Sequence, residues 1–316
     1  MTGADRVTLA VPCRADEPDL GRTLAAALAS WRAEPAGRLE VLVCVNGAGA
    51  AQAPALAELA RAAAAAGAPP PRIVDADAPG TALVADPAPV AVVGLVTART
   101  GKAVAWNLLR AHARGERILF LDADVTFAPD TFARLLAALD GAPGAVLASA
   151  RTRGVPRPTA FERIMAAPYG VAFPNLSPQL YAARAAGLPP GMPEDLIEPE
   201  RWLELIVGPD RLVHAPGAEV RVRLTRDLRD FFRQRIRIEM GKVQIARDYP
   251  GLSARSAPQP GLLAALRGLG GADLARLAVY LGLRSAARVV AEWRYRRGRT
   301  AGVWRQAAST KMWDGR

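Results

Sequence analysis

A chain of 316 residues that is 51% hydrophobic and 22% charged can bury a sizeable core, as one large domain or one domain with an appendage, which excludes a disordered protein. Its two cysteines, Cys13 and Cys44, each lie in an apolar run, which excludes a disulfide framework or a cysteine-rich zinc site and points to a reducing cytoplasm. The net charge of +11 raises nucleic acid and anionic membrane as partners, but eleven Lys and Arg against three acids between Gly261 and Arg316 place +8 of it in a basic tail.

Taken in chain order, VTLAVP (7–12) reads as a strand, DLGRTLAAALASW (19–31) as a helix, LEVLVCVN (39–46) as a strand and APALAELARAAAAAG (53–67) as a helix. Residues 68–89, rich in Pro, Ala and Asp, read as a loop with room for one hairpin. VAVVGLV (90–96) is a strand, KAVAWNLLRAHARG (102–115) a helix and RILFLD (117–122) a strand. Short apolar runs separated by helices predict βαβ crossovers and a largely parallel α/β sheet, whose ligands sit beyond the carboxyl ends of the strands. There the last strand runs from ILFL into Asp122-Ala123-Asp124. Residues two apart on an extended strand point the same way, and two carboxylates beside an apolar run call for a cation.

Two phosphate motifs are near misses. GLVTARTGKA puts six residues between Gly94 and Gly101 where a P-loop has four, and Ala103 stands where Ser or Thr would hold magnesium. GAGAAQ (47–52) follows a strand, but Gln52 replaces the third glycine of a dinucleotide fingerprint.

VTLAVPCRADEPDLGRTLAAAL, LEVLVCVNGAG, the helix and strand that run into ILFLDADV, PPGMPEDLIEPERWLELIVG and FFRQRIRIEMGK, in that order over about residues 6–245, together resemble the family 2 glycosyltransferases, inverting enzymes of GT-A fold. VTLAVPCRADEPDLGRTLAAAL is similar to the opening strand and Pro-x-x-x-x-Glu loop, and LEVLVCVNGAG to the second strand. RTGKAVAWNLLRAHARGERILFLDADVTFAPDTFARLL resembles the Gly-Lys…Asn helix leading into the Asp-x-Asp strand. PPGMPEDLIEPERWLELIVG resembles the Glu-Asp acceptor segment, and FFRQRIRIEMGK the Gln-x-x-Arg-Trp helix. The resemblance implies Mn2+ or Mg2+ on Asp122 and Asp124, a nucleotide sugar held by Pro12, Arg14, Glu17, Asn46, Lys102, Asp122, Gln234 and Arg237, and a general base at Asp195 with Glu194 beside it. Asn107 is expected to pin a neighbouring loop, Arg235 with Arg237 to close over the diphosphate, and Asp195 to double as the cap of the helix that follows. Tyr169, Tyr181 and Arg184 fall in the acceptor region, where aromatic faces suit sugar rings.

The expected reaction moves a sugar from a nucleoside diphosphate sugar to a hydroxyl acceptor, a lipid-linked one among the candidates. Uridine is favoured as the base, although Asn46 stands where the family often has an aspartate, and Ile238 replaces the tryptophan of processive members. A nucleotidyltransferase would need a Gly-rich, basic loop after the first strand, and PCRADEPDLG is not one. A non-catalytic nucleic-acid-binding protein would account for the charge, but the excess lies in one tail and aromatics are only 6%, so nucleic acid is not the expected partner.

SARSAPQPG (253–261) marks a boundary, giving a GT-A domain over 1–257, with a nucleotide half to about 125 and an acceptor half over 126–257, and a helical tail over 258–316. In DLARLAVYLGLRSAARVVAEWRYRRGR (273–299), Arg276, Tyr280, Arg284, Arg288 and Glu292 form one narrow stripe, and apolar residues cover most of the rest. The wide apolar face either packs on the body or rests on an anionic membrane. With no basic-then-apolar leader and no run of 18 apolar residues, the chain is expected in the cytoplasm, peripheral on the inner face of the membrane.

Overall fold

The computed structural model of the chain describes residues 6–32, 37–47, 53–78, 88–171, 175–255, 266 and 269–298. The boundary segment 253–261 and the chain beyond Gly298 fall largely outside these residues. The chain divides into two compact units: residues 1–151, 176–195 and 210–220 form the first, and residues 152–175, 196–209 and 221–316 the second. The tail helix therefore shares a unit with other elements.

The strands are β1 (Arg6–Arg14), β2 (Arg38–Asn46), β3 (Arg72–Asp75), β4 (Val90–Thr97), β5 (Arg117–Leu121), β6 (Thr126–Phe127), β7 (Leu147–Val155), β8 (Leu180–Arg184) and β9 (Leu212–Arg223), all in the first unit but for the last residues of β7 and β9. They form one mixed sheet in the order β3-β4-β2-β1-β5-β8-β7-β9-β6. From β3 to β5 all pairings are parallel, and β8 then runs antiparallel to both β5 and β7. Helices α1 (Leu20–Arg32), α2 (Pro54–Ala65), α3 (Lys102–His112) and α4 (Thr131–Asp140) connect the strands.

β1, β2 and β4 are almost continuously buried, as parallel strands covered on both faces must be. Cys13 and Cys44 are thiols outside any disulfide, buried in β1 and β2, and burial pushes the Cys44 thiol up to about 12. The segment 68–89 read as a loop contains β3, which joins β4 in parallel rather than forming a hairpin. Only four residues long and mostly exposed, it lacks the apolar alternation that would have marked it.

At the amino end of the sheet a buried polar network closes the layer. Glu40, 2% exposed, takes a hydrogen bond from Thr8 Oγ1 at 2.8 Å and pairs with Arg114 at 2.5 Å, and Gly115 N donates to Thr8 Oγ1 at 2.9 Å. A Cβ on Gly115 would lie 2.7 Å from Thr8 N and 2.9 Å from two carbonyl oxygens, so only glycine fits where α3 turns into β5.

In the second unit, α5 (Ala160–Ala166), α6 (Pro199–Val207), α7 (Leu228–Asp248), α8 (Pro250–Ser253) and α9 (Gly271–Arg296) supply the helices. Met165, Val171, Leu224, Phe231, Leu277 and Tyr280 form one cluster, and Ile197, Ile236, Met240, Ala287 and Ala291 another. In the tail helix, α9, Leu277, Tyr280, Ala287 and Ala291 are buried. Its polar stripe faces α7: Tyr280 is buried, Arg284 reaches buried Glu239 at 3.0 Å, and Arg247 of α7 pairs with Glu292 at 2.6 Å. Burial opposes ionisation of Glu239, but Lys242, Arg284 and Arg235 outweigh it and hold the carboxyl below its usual range. A buried carboxylate on α7 needs cations, and the stripe supplies one, so the polar side turns inward.

Candidate active site

The register of the parallel strands sets the site. Arg14 pairs across to Asn46, and Asn46 to Thr97, so the last residues of β1, β2 and β4 stand side by side at the carboxyl edge. Asp122 follows two residues after the last β1–β5 pair, Ala10 with Phe120. Past β5 the chain keeps a period of two: Leu121, Ala123 and Val125 are buried, while Asp122 and Asp124 are partly exposed. Thr23 of α1 holds this turn through its Oγ1 bond to Val125 O at 3.0 Å.

α3 brings the second group of residues. Gly101 precedes it with φ 131°, a conformation side-chain-bearing residues rarely adopt. Trp106 and Leu109 anchor the helix, Trp106 stacking on Phe120 at 5.5 Å between ring centres. Full burial of side chains this size is worth about 1.5–3 kcal/mol each. So anchored, α3 presents Lys102, whose Nζ lies 2.7 Å from Asp122 Oδ1 and donates to Pro178 O at 2.9 Å. One turn further on, Asn107 clamps the backbone of Met192 with two bonds, Nδ2 to Met192 O at 2.9 Å and Met192 N to Oδ1 at 2.8 Å. This is the loop-pinning role expected of it, and the pinned loop carries Glu194 and Asp195. Glu194 is ion-paired to Arg99, whose guanidinium is pushed further up by that bond. Asp195 is exposed in a turn. It does not cap the next helix, because α6 begins only at Pro199, after Glu198.

Asn46 is buried and donates from Nδ2 to Gly101 O at 2.8 Å, so its amide also fixes the strained entry to α3. An aspartate there would set a carboxylate against that carbonyl. Asn46→Asp is expected to lower stability by about 1–3 kcal/mol in urea unfolding, and an unchanged midpoint would show that the bond does not support the fold. Glu17 is 3% exposed and accepts from Asp19 N at 3.2 Å, while Arg14 pairs with Asp16 at 2.8 Å, so both brace the loop after β1, and Pro12 lies within β1. Gln234 is exposed and Arg237 partly buried on α7 of the second unit.

Three acceptor candidates are corrected. Tyr181 is core, 1% exposed, stacked on Phe120 at 4.9 Å and bonded from Trp106 Nε1 at 3.0 Å. Arg184 donates to Leu139 O at 2.6 Å and Ala145 O at 3.1 Å, satisfying carbonyls at and after the end of α4. Tyr169 packs against Gly154 within the second unit, and burial pushes its hydroxyl up to about 12. Arg235 is likewise turned to Tyr280, bonding its hydroxyl, with its guanidinium 5.4 Å from the ring centre. The sequence reading missed Asp77 and Arg99. Asp77 follows β3 and takes bonds from Thr97 Oγ1 at 2.7 Å and Ala98 N at 3.1 Å, and Arg99 lies 3.9 Å from it. The one signal was Arg99's place in the discarded P-loop match.

Asp122 and Asp124 fit a divalent cation of the Mg2+ or Mn2+ kind. Among the described residues no group of three or more His, Cys, Asp or Glu could hold a metal, and such ions commonly take one or two carboxylates and complete their shell with substrate phosphates and water.

The mixed α/β sheet and its flanking helices make this a GT-A fold. Residues 73–183 match the model of Glycosyl transferase family 2. Among solved structures, the mannosyltransferase PcManGT from Pyrobaculum calidifontis, in complex with GDP-Man and Mn2+, is similar with a TM-score of 0.56 and 21% identity, covering 96% of this chain and 81% of that one. Glucosyl-3-phosphoglycerate synthase from Mycobacterium tuberculosis, in complex with Mn2+, UDP-glucose and phosphoglyceric acid, gives a TM-score of 0.47 and 17% identity over 79% of this chain and 81% of that one. A search of curated proteins finds no match.

Proposed function

We propose that this chain is a divalent-metal-dependent, inverting glycosyltransferase that moves a sugar from a nucleoside diphosphate sugar to a hydroxyl acceptor. The observation that carries the reading is the meeting, at the carboxyl edge of the parallel strands, of the Lys102–Asp122 pair and Asp124 with a loop that Asn107 clamps and that bears Glu194 and Asp195. Asp122 and Asp124 would hold Mn2+ or Mg2+, which supplies charge stabilisation to the leaving diphosphate. Lys102 adds a point charge for phosphate. By the resemblance of the Glu-Asp segment, Asp195 is the carboxylate assigned to take the acceptor's hydroxyl proton, with Glu194, paired to Arg99, beside it. The acceptor oxygen then bonds to the anomeric carbon as its bond to the diphosphate breaks, and attack from the opposite face inverts that centre.

The GDP-Man and Mn2+ of the mannosyltransferase complex are in keeping with this donor class. Uridine remains the favoured base, and a lipid-linked acceptor at the inner face of the membrane accords with the basic tail. The test is a thermal-shift panel of UDP, GDP and dTDP with Mn2+ or with chelator. A cognate diphosphate at about a hundred times its Kd adds about 2.7 kcal/mol, a rise of a few degrees for a protein this size. UDP with Mn2+ is expected to give the largest rise and to lose it with chelator. No metal-dependent rise with any of the three would overturn the reading.

A further inference from the structure

Eight large hydrophobic residues are conspicuously exposed among the described residues, and five of them, Leu274, Val279, Leu281, Val289 and Trp293, lie on α9. At about 100° per residue, Ala275, Ala278, Gly282, Ala286, Val289 and Trp293 centre on one side of the helix, opposite buried Leu277, Tyr280, Ala287 and Ala291. Val289 is 70% exposed and Val279 50%. A monomer seldom leaves so long an apolar strip in water without a use for it.

The border of the strip says what covers it. α9 has five arginines against Asp273 and Glu292, and both acids are engaged, Asp273 by Arg276 and Glu292 by Arg247 and Arg296. By the same rotation Arg276 and Arg294 flank one side of the strip and Arg288 the other. Arg297 lies 4.5 Å over the Trp293 ring at the helix end. The strip is shallow, made largely of Ala, Gly and Val, with Trp at its end. Two copies pressed together here would oppose their arginine borders. A bilayer interface meets all of these features: the apolar strip enters the acyl boundary, Trp sits at the headgroup level and the arginines reach lipid phosphates. No helix among the described residues is long and apolar enough to cross a membrane.

We propose that the outward face of α9, from Leu274 to Trp293, docks on the surface of an anionic phospholipid bilayer, with α9 lying in the interface plane. The docking is independent of the transferase reading. Only its corollary, that the acceptor is an amphiphile met at that surface, rests on it.

The test is sedimentation of the full-length protein with sucrose-loaded vesicles of phosphatidylcholine, alone or with about a third phosphatidylglycerol, at low salt and with no nucleotide present. The protein is expected to pellet with the anionic vesicles at least about tenfold more than with the neutral ones. The pair Val279→Glu and Val289→Glu is expected to reduce pelleting at least about tenfold at an unchanged thermal midpoint, since both side chains are exposed. Trp293→Ser serves as a second variant should the pair lower that midpoint. Failure to pellet with anionic vesicles, or equal pelleting of folded variants, overturns the proposal. So does a lipid-free dimer that these substitutions convert to monomer, which would make the strip a self-association face. A soluble acceptor turned over by a protein that still binds vesicles would remove the corollary alone.

Discussion

Asp124→Ala is expected to abolish metal-dependent binding of the nucleoside diphosphate and to cut turnover by about a thousandfold or more, at the upper end of what losing one charge-stabilising group costs. The reason is electrostatic. Asp122 already faces Lys102 at 2.7 Å, so without Asp124 the strand end offers a nearly neutral Lys–Asp pair, a poor lure for a divalent cation. Calorimetry of UDP with Mn2+ checks this separately from turnover. Wild-type affinity that still responds to chelator would place the metal elsewhere. The side chain is half-exposed at a turn held independently by Thr23, so the variant should fold.

Asp195→Asn is expected to leave donor binding within about twofold while transfer falls by about a hundred to ten thousandfold, the range for loss of a general base. The amide keeps the shape of the carboxylate but cannot accept the proton, so the loss should appear in kcat. Glu194→Gln is the informative comparison, since Glu194 is paired with Arg99 and its loss should act through the position of the loop. Near-normal transfer by Asp195→Asn would show that another group is the base.

The parallel half of the sheet was legible because β1, β2, β4 and β5 are apolar runs bounded by polar turns, and the alternation that leaves Asp122 and Asp124 partly exposed could be read from their period-two spacing. Asn107 was legible as the polar residue in an otherwise apolar part of a helix. Edge strand β3 was not, for its exposed side chains leave no periodic signal, and with it went Asp77. Tyr181 and Arg184 misled because composition cannot separate an aromatic that meets a sugar from one stacked on Phe120, or an arginine that meets an acceptor from one that closes a helix end. The stripe on α9 was legible as a pattern, but which side of the helix turns in was left open. Only α7, with buried Glu239, decides which face turns in.

The alternation through Leu121, Asp122, Ala123, Asp124 and Val125 also constrains how this chain can diverge. With Thr23 fixing the carbonyl of Val125 at one end and the β5 ladder fixing Leu121 at the other, insertion or loss of a single residue between them would swap the two sides. The residues before and after the change would fall out of phase, so a carboxylate would turn into the core or an apolar side chain out to the sheet edge. Lineages descending from this protein can exchange Ala123 for another small residue more readily than they can change the count. The count between Leu121 and Val125 is held from both ends, whereas the small residue at Ala123 is held only by its burial.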